Sequence, residues 1–270
     1  MCEVIDDTLY QRYLAALLAG DRMQCAGVAQ DLAAKGTAIK DLYIHLFQRS
    51  LCRIGELWEQ QQISVAVEHL ATAITGRMLS LLQAQVFSGA TRGRTIVIAC
   101  IADEHHQIGS RMVADYCELL GLRAYFLGAN MPLPDLLQLI NQCRPTLLGL
   151  SVTLTANLPA LLEALDALGS AFPDLPILVG GQAFRRGGLA AIYALRGGNC
   201  PDGIVPSGMQ CKTQIAPCGN EHTSNFNAKV APAGGNPTGQ FPPRKAYDYR
   251  NVSYIASLDA LEQWLLAHEH

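Results

Sequence analysis

Charge is scarce in this sequence and nearly balanced: 16% of the residues are Asp, Glu, Lys or Arg, and the formal net charge is -3 at pH 7. A chain without an excess of basic residues has no general attraction for phosphate backbones or anionic lipid, so direct nucleic-acid binding is not expected. Aromatic residues are few as well, at 7%, with two tryptophans. No uninterrupted apolar run reaches the ~20 residues that a bilayer demands. The opening MCEVIDDTLYQ has neither the basic head nor the apolar middle of an export signal. A cytoplasmic location away from the membrane is therefore expected. Also missing are internal repeats and any Cys-x-x-Cys pair. The nine cysteines are an odd number, and Cys25, Cys52, Cys100, Cys117 and Cys143 sit singly in apolar or periodic segments. They read as buried thiols in a reducing compartment rather than as a disulfide framework.

What is present is apolar material, half of the 270 residues, enough for two ordinary domains with sizeable cores. Residues 6–35 place apolar side chains at helical spacing, interrupted at Gly20-Asp21, where Asp21 can cap a second helix. Thr37 opens a third helical segment that runs to about Gln60, and Ser64 a fourth that runs to about Val86. Short connections between four such helices predict an antiparallel four-helix bundle over residues 6–87.

After the small, polar linker Ser88–Arg94 the rhythm changes. Apolar runs at 95–101, 123–127, 146–152, 176–181 and 252–256 alternate with helical patterns near 109–120, 134–143, 158–172 and 257–268. Strands apolar throughout, alternating with amphipathic helices, predict an α/β domain over 94–268. Its five-stranded parallel sheet should be doubly wound and flavodoxin-like, with a ligand site at the carboxyl ends of the strands. Between about 185 and 251 the pattern breaks; seven of the 13 prolines fall between Pro201 and Pro243, which marks an irregular insertion. Its Cys200, Cys211, Cys218 and His222 have ten, six and three intervening residues, spacings that match no paired zinc framework, so they read as solvated loop residues.

The chemistry concentrates just past the first strand, where Glu104, His105, His106 and Gly109 occupy a strand's carboxyl end. A neutral imidazole ligates transition metals well, and a carboxylate on its other nitrogen fixes the tautomer and raises its basicity. Glu104 and His106 suit those roles. Farther on, 41 residues separate Gly109 from Ser151, and 26 separate Thr153 from Gly180-Gly181. Together, Glu-x-His-x-x-Gly, Ser-x-Thr and Gly-Gly at these separations resemble the pattern of the cobalamin-binding domain family. There the motif histidine replaces the cofactor's own benzimidazole on cobalt, and the displaced tail enters a groove of small residues. The resemblance implies that His106 is the lower ligand and Glu104 its carboxylate partner. Gly109 belongs to the same motif, and Ser151, Thr153, Gly180 and Gly181 line the groove. The sequence departs from the family twice, with Glu104 for the usual Asp and Thr153 for the usual Leu.

The bundle adds a second pattern. Nine residues separate Trp58 from Glu68-His69, a spacing similar to the Trp-x9-Glu-His signature of cobalamin-dependent photoreceptors. In those proteins the bundle covers the upper face of adenosylcobalamin. An indole can pack on the adenosyl group while Glu68 and His69 hydrogen-bond it. Glu59, however, stands immediately after Trp58, where light-responsive regulators of that group have a histidine that takes cobalt after photolysis. A second imidazole would have to come from His69 or His45. The DNA-binding domain that precedes the bundle in those regulators has no counterpart in this sequence, so a signal is expected to pass through a protein partner or through a part not present in this chain. Some light-sensing relatives add a bilin chromophore, and the residues of the insertion leave open whether it helps to hold one.

The resemblance thus points to an adenosylcobalamin-dependent light sensor rather than an enzyme. Two alternatives stay open: a corrinoid methyl carrier of a methyltransferase system, and a cobalamin-responsive binding module without photochemistry. A homo-oligomer is compatible with all three. Because loop entropy grows slowly with length and the insertion has little apolar material, deleting Asn199–Arg244 is expected to leave a folded, cobalamin-binding protein. Loss of soluble protein, or stoichiometric zinc found only in the intact chain, would contradict this.

Overall fold

The computed structural model describes residues 5–86, 93–185 and 251–268. Helix α1 (Asp7–Leu18) carries Asp7 in its first turn, where the positive end of the helix dipole favours an acid. The chain turns out of it at Gly20, whose φ of 72° lies in the left-handed region that favours glycine. The Asp21 carboxylate then accepts from the backbone N–H groups of Met23 and Gln24 at 3.1 and 3.0 Å, capping α2 (Arg22–Ala34) as its position predicts.

The third helical stretch differs from the uniform α-helix expected from Thr37 to Gln60. It begins after Ala38 as α3 (Ile39–Asp41), continues as a π-helical segment (Leu42–Gln48), and returns to α geometry in α4 (Arg49–Glu59). Leu42, Tyr43, Leu46 and Phe47 are all buried, so the wider turn brings four large side chains inward within six positions. Phe47 packs its ring against those of Tyr13 and Tyr43 at centroid distances of 5.9 and 6.0 Å. Helix α5 (Val65–Val86) completes the bundle. With 22 residues, and a mean hydropathy of 1.2 over an 18-residue stretch, it is long and apolar enough, by length and composition, to cross a membrane. Its Ala71, Ile74, Met78, Leu79, Leu82 and Val86 are buried, so that apolar content has a use in the bundle core.

The sheet follows: β1 (Thr95–Cys100), α6 (Ile108–Leu119), β2 (Arg123–Phe126), α7 (Leu133–Cys143), β3 (Leu147–Ser151), α8 (Leu158–Ala171), β4 (Ile177–Gly180), β5 (Val252–Tyr254) and α9 (Leu258–Ala267). All four strand pairings are parallel, in the order β2-β1-β3-β4-β5. This is the flavodoxin-like arrangement, whose direction of winding reverses between β1 and β3 and leaves a crevice there. Alternate residues of β1 face opposite layers. Ile96 and Ile98 join a core continuous with the bundle, whereas Val97 and Ala99 join a second core with residues of α7 and α8. Strand β2, at the sheet edge, exposes Arg123 and Tyr125.

The bundle and sheet are joined by polar contacts as well as by that first core. Tyr43 Oη donates to Asp115 Oδ2 of α6 at 2.8 Å, and both residues are buried. Arg111 of α6 donates to the Gly76 carbonyl at 3.2 Å and to Ser80 Oγ at 2.9 Å on α5. Lys40 pairs with Asp259 and Glu262 of α9 at 2.6 and 2.7 Å. None of Cys25, Cys52, Cys100, Cys117 and Cys143 forms a disulfide; Cys200, Cys211, Cys218 and His222 lie outside the described residues. Since Tyr43→Phe would leave the buried Asp115 carboxyl without its donor, it is expected to lower stability by about 1–3 kcal/mol. Adding Asp115→Leu should recover part of that loss. Urea unfolding midpoints of the single and double variants check both statements.

Candidate functional site

The loop after β1 is built around one buried carboxylate. Glu104 is fully buried, and both its oxygens are engaged. Oε1 accepts from His106 Nδ1 at 2.6 Å and from the His106 backbone N–H at 2.9 Å. Oε2 accepts from the backbone N–H groups of Thr153 and Leu154 at 2.7 and 3.1 Å, and from Asn157 Nδ2 at 3.2 Å. Burial alone would raise the pKa of this carboxyl, but the bonds from His106, Thr153 and Leu154 outweigh it and hold the group at about 2. Glu104 is thus ionised and can only accept, so the His106 Nδ1 must carry the proton. For the neutral ring this leaves the lone pair on Nε2. The side chain of His106 is half exposed, at 49%, and stands at the carboxyl end of β1, beside the crevice.

The neighbouring backbone keeps this loop in place. Asp103 has a φ of 64°, and its N–H donates to Asn130 Oδ1 at 2.8 Å. The Asn130 N–H in turn donates to the Glu104 carbonyl at 2.8 Å, and Asn157 Nδ2 also reaches the Asp103 carbonyl at 3.2 Å. Below His106, Ser110 Oγ donates to the Gln107 carbonyl at 2.9 Å and lies 3.1 Å from Cys100 Sγ. Burial pushes the Cys100 thiol up to about 11, which keeps it protonated and unreactive.

The predicted residues fall into three groups. Glu104, His106 and Thr153 are in direct contact, although Thr153 contributes its backbone N–H, which any residue except proline would supply. That explains how the departure from Leu is accommodated. Ser151 sits between Cys100 of β1 and Gly180 of β4 in the sheet register. It is half-buried, and its hydroxyl has no hydrogen-bond partner among the described residues. Gly181 has a φ of 114°, and a Cβ there would lie 2.1 Å from the Val152 carbonyl oxygen, so no other residue fits. A Cβ on Gly180 would lie 3.2 Å from the Ile255 carbonyl, whereas Gly109 is exposed with nothing within 4 Å of where its Cβ would be. The third group is on the bundle. Glu68 accepts from Thr72 Oγ1 at 2.9 Å and contacts His69 Nδ1. Its charge adds to that of Glu104 in raising the pKa of His106, against the opposing effect of burial, and the Glu104 hydrogen bond is the largest cause. Trp58 is 47% exposed at the end of α4. Among the described residues, no hydrogen bond or ring contact joins it to Glu68 or His69. His45 and Glu59 are exposed.

Sequence reasoning missed Asn130 and Asn157. Asn157 reads as an ordinary helix opener ahead of α8, and nothing in its spacing ties it to Glu104. No group of three or more His, Cys, Asp or Glu side chains that could hold a metal ion occurs among the described residues. A cobalt corrinoid needs only one such donor, because its macrocycle supplies the equatorial ligands. A single outward-facing imidazole with a carboxylate behind it, an open Gly109 and an unengaged Ser151 hydroxyl in the crevice fit that group.

Comparisons with known proteins agree. Residues 94–192 match the family model described as the B12 binding domain, and residues 9–83 match a second model of the same description. The chain belongs to the cobalamin-binding domain family, in the form that carries a helical cap before the sheet, and its cofactor is a cobalamin or related corrinoid. It is 32% identical over 181 residues to the HTH-type transcriptional repressor CarH of Myxococcus xanthus, covering 66% of this chain and 59% of CarH. With the repressor CarA of the same organism it shares 33% identity over 138 residues, 50% of this chain and 46% of CarA. The chain therefore spans about half the length of the curated relatives it matches. The monomethylamine corrinoid protein of Methanosarcina barkeri shares the fold, with a TM-score of 0.60 at 13% identity over 66% of this chain and 86% of that one.

The buried pair has a calculable dependence on pH. Glu104 ionises at about 2 in the fold and near ~4.3 when unfolded. It therefore contributes stability, about 3 kcal/mol, that is present above the unfolded value and lost as pH falls toward 2. His106 acts in the opposite sense. Its raised pKa gives stability that is present below the ordinary histidine value and lost as pH rises through the folded one. The cofactor-free protein should be most resistant to urea between these limits, and Glu104→Gln should flatten the acid limb of that profile.

Proposed function

We propose that this chain is a light-sensing module that holds adenosylcobalamin with its benzimidazole displaced and His106 as the lower ligand to cobalt. The observation that carries the ligand assignment is the short His106–Glu104 bond to a fully buried carboxylate, which turns Nε2 outward at the crevice. Gly109, Ser151, Thr153, Gly180 and Gly181 line the groove for the displaced tail, and the Ser151 hydroxyl is available to it. When bound, the group supplies a cobalt–carbon bond that visible light breaks. Trp58, Glu68 and His69 would cover the upper face, a role supported by the exposed indole of Trp58 and the contact of Glu68 with His69. Similarity to two repressors rather than to catalysts supports a sensory role over an enzymatic one.

In this reading residues 6–87 are the cap and residues 94–268 the binding domain, interrupted by the insertion at about 185–251. Trp58 and the Glu68–His69 pair would be the bundle residues whose contacts depend on the state of that face. The contacts of α5 and the π segment with α6 then pass the change to the molecular surface, where a protein partner in the cytoplasm reads it. A second imidazole, which Glu59 cannot supply, would come from His69 or His45.

His106→Ala is expected to abolish the imidazole-ligated spectrum and weaken cobalamin binding at least tenfold, while His105→Ala leaves both unchanged. In darkness the protein should prefer adenosylcobalamin to methylcobalamin, because the larger group buries apolar surface on the indole and finds polar partners. Trp58→Ala should erode that preference. Equal affinity for the two, indifferent to Trp58→Ala, would turn the assignment to a methyl carrier. Green light should convert the adenosyl complex to a new spectrum, and a product unaltered by His69→Ala would exclude His69 as the upper donor.

A further inference from the structure

A small apolar cavity opens on the face of the sheet opposite the groove. Along β3 and β4, Leu148, Leu150, Ile177 and Val179 face the core shared with α7 and α8, so the alternation of a strand turns Ser151 and Gly180 the other way. The cavity lies on the α7 and α8 side. Ala102, Met131, Leu133, Leu136 and Ala160 wall it, and Glu163 is the one charged residue among its lining. Its volume of about 140 Å³ is close to that of an apolar cavity that takes up benzene and far below that of a cofactor pocket. It suits a single aliphatic or phenyl side chain.

The rim carries charge of one sign. Asp103 adjoins Ala102, Asp135 lies between Leu133 and Leu136 in the first turn of α7, and Glu163 stands on α8; all three are exposed. None of them forms an ion pair among the described residues. From 127 to 181 the only Lys or Arg is Arg144, which caps the far end of the 11-residue helix α7, roughly 16 Å from its first turn. Three carboxylates around an apolar hole repel an anion and favour a cationic segment that carries an apolar side chain.

We infer that this cavity is a docking site for a protein partner, which seats one aliphatic or aromatic side chain in it and sets flanking lysines or arginines against Asp103, Asp135 and Glu163. The stems of such basic residues lie along the apolar rim while their charges reach the carboxylates. The cavity walls are also tied to the histidine loop. Ala102 leads into Asp103, the Met131 N–H donates to the Cys100 carbonyl at 3.0 Å, and the Asn130 N–H to the Glu104 carbonyl at 2.8 Å. A side chain in the cavity therefore bears on the loop that presents His106. This gives a place to the partner that the light-sensing reading requires and rests on that reading for its biological use, whereas the docking itself is tested without cofactor.

The test titrates the full chain, first without cobalamin, with a fluorescein-labelled peptide, Gly-Lys-Arg-Leu-Lys-Arg-Gly. Saturable binding is expected, weaker at high salt, with a shift of the methyl NMR signal of Met131, assigned by Met131→Leu. Alanine in place of the peptide's leucine should weaken binding about tenfold or more. Ala160→Leu fills the cavity and Glu163→Lys reverses its charge; each, shown to be folded by its urea midpoint, should likewise weaken binding by about tenfold or more. Three results would overturn the inference: no saturable binding to the wild type, equal binding of the peptide without leucine, or binding unchanged in a folded Ala160→Leu or Glu163→Lys. With adenosylcobalamin bound, illumination should change the affinity for the peptide. An affinity unmoved by light would overturn the link to sensing, and the cofactor-free titration would still decide the docking.

Discussion

A carboxylate taken fully out of water is tolerated only when its charge is met on every side, and the region around Glu104 is organised by that requirement. Its four lone-pair directions draw donors from two different crossovers of the sheet, the loop after β1 and the turn after β3. Isolated in a low-dielectric interior, the charge would be unfavourable by several kcal/mol; paired this way it becomes the fixed point from which the two loops are measured. The positive φ of Asp103, the bond from Asn130 and the forward placement of His106 all follow from satisfying one residue. A strand-end loop that would otherwise fluctuate is thereby made rigid enough to present an imidazole in one direction.

The second organising feature is α6, which starts directly after the histidine loop and anchors the bundle together with α9. Arg111 ties it to α5 and Tyr43 ties it to the π segment, while the apolar core runs without a break from the bundle through Met112 and Tyr116 to β1. The cap is therefore not a separate body on a tether. Any rearrangement at its upper end is opposed or transmitted by a helix whose first turn is two residues from His106, which is the physical basis for coupling ligand state to surface shape.

Much of this arrangement was legible in the sequence because it depends on periodicity. The four helical segments, the five apolar strands and the Asp21 cap follow from spacing and residue type, and the parallel sheet order follows from their alternation. The Glu104–His106 pair was legible for the same reason, since adjacency in sequence forces adjacency in space. What was hidden lies across the fold. Asn157 meets Glu104 because β1 and β3 are neighbours, and Asn130 because β1 and β2 are, and no local pattern records either pairing. The part played by the Thr153 backbone was hidden because a main-chain N–H leaves no trace in residue identity. The π geometry at 42–48 was unreadable for a different reason: the residues Leu-Tyr-Ile-His-Leu-Phe-Gln satisfy an α-helical pattern nearly as well, and the packing of Tyr13, Tyr43 and Phe47 decides between them.

That π segment sets the rotational phase of everything after it. A helix carries its side chains around the axis at about 100° per residue, and a wider turn inserts extra chain without advancing the rotation in step. Trp58 therefore faces a direction that counting in 3.6-residue steps from Lys40 or Tyr43 would misplace by a large part of a turn. The anchors at 40 and 43 belong to α9 and α6, whereas the indole belongs to the open end of the cap. The extra residue lets one continuous rod serve two faces that a regular helix would have superimposed.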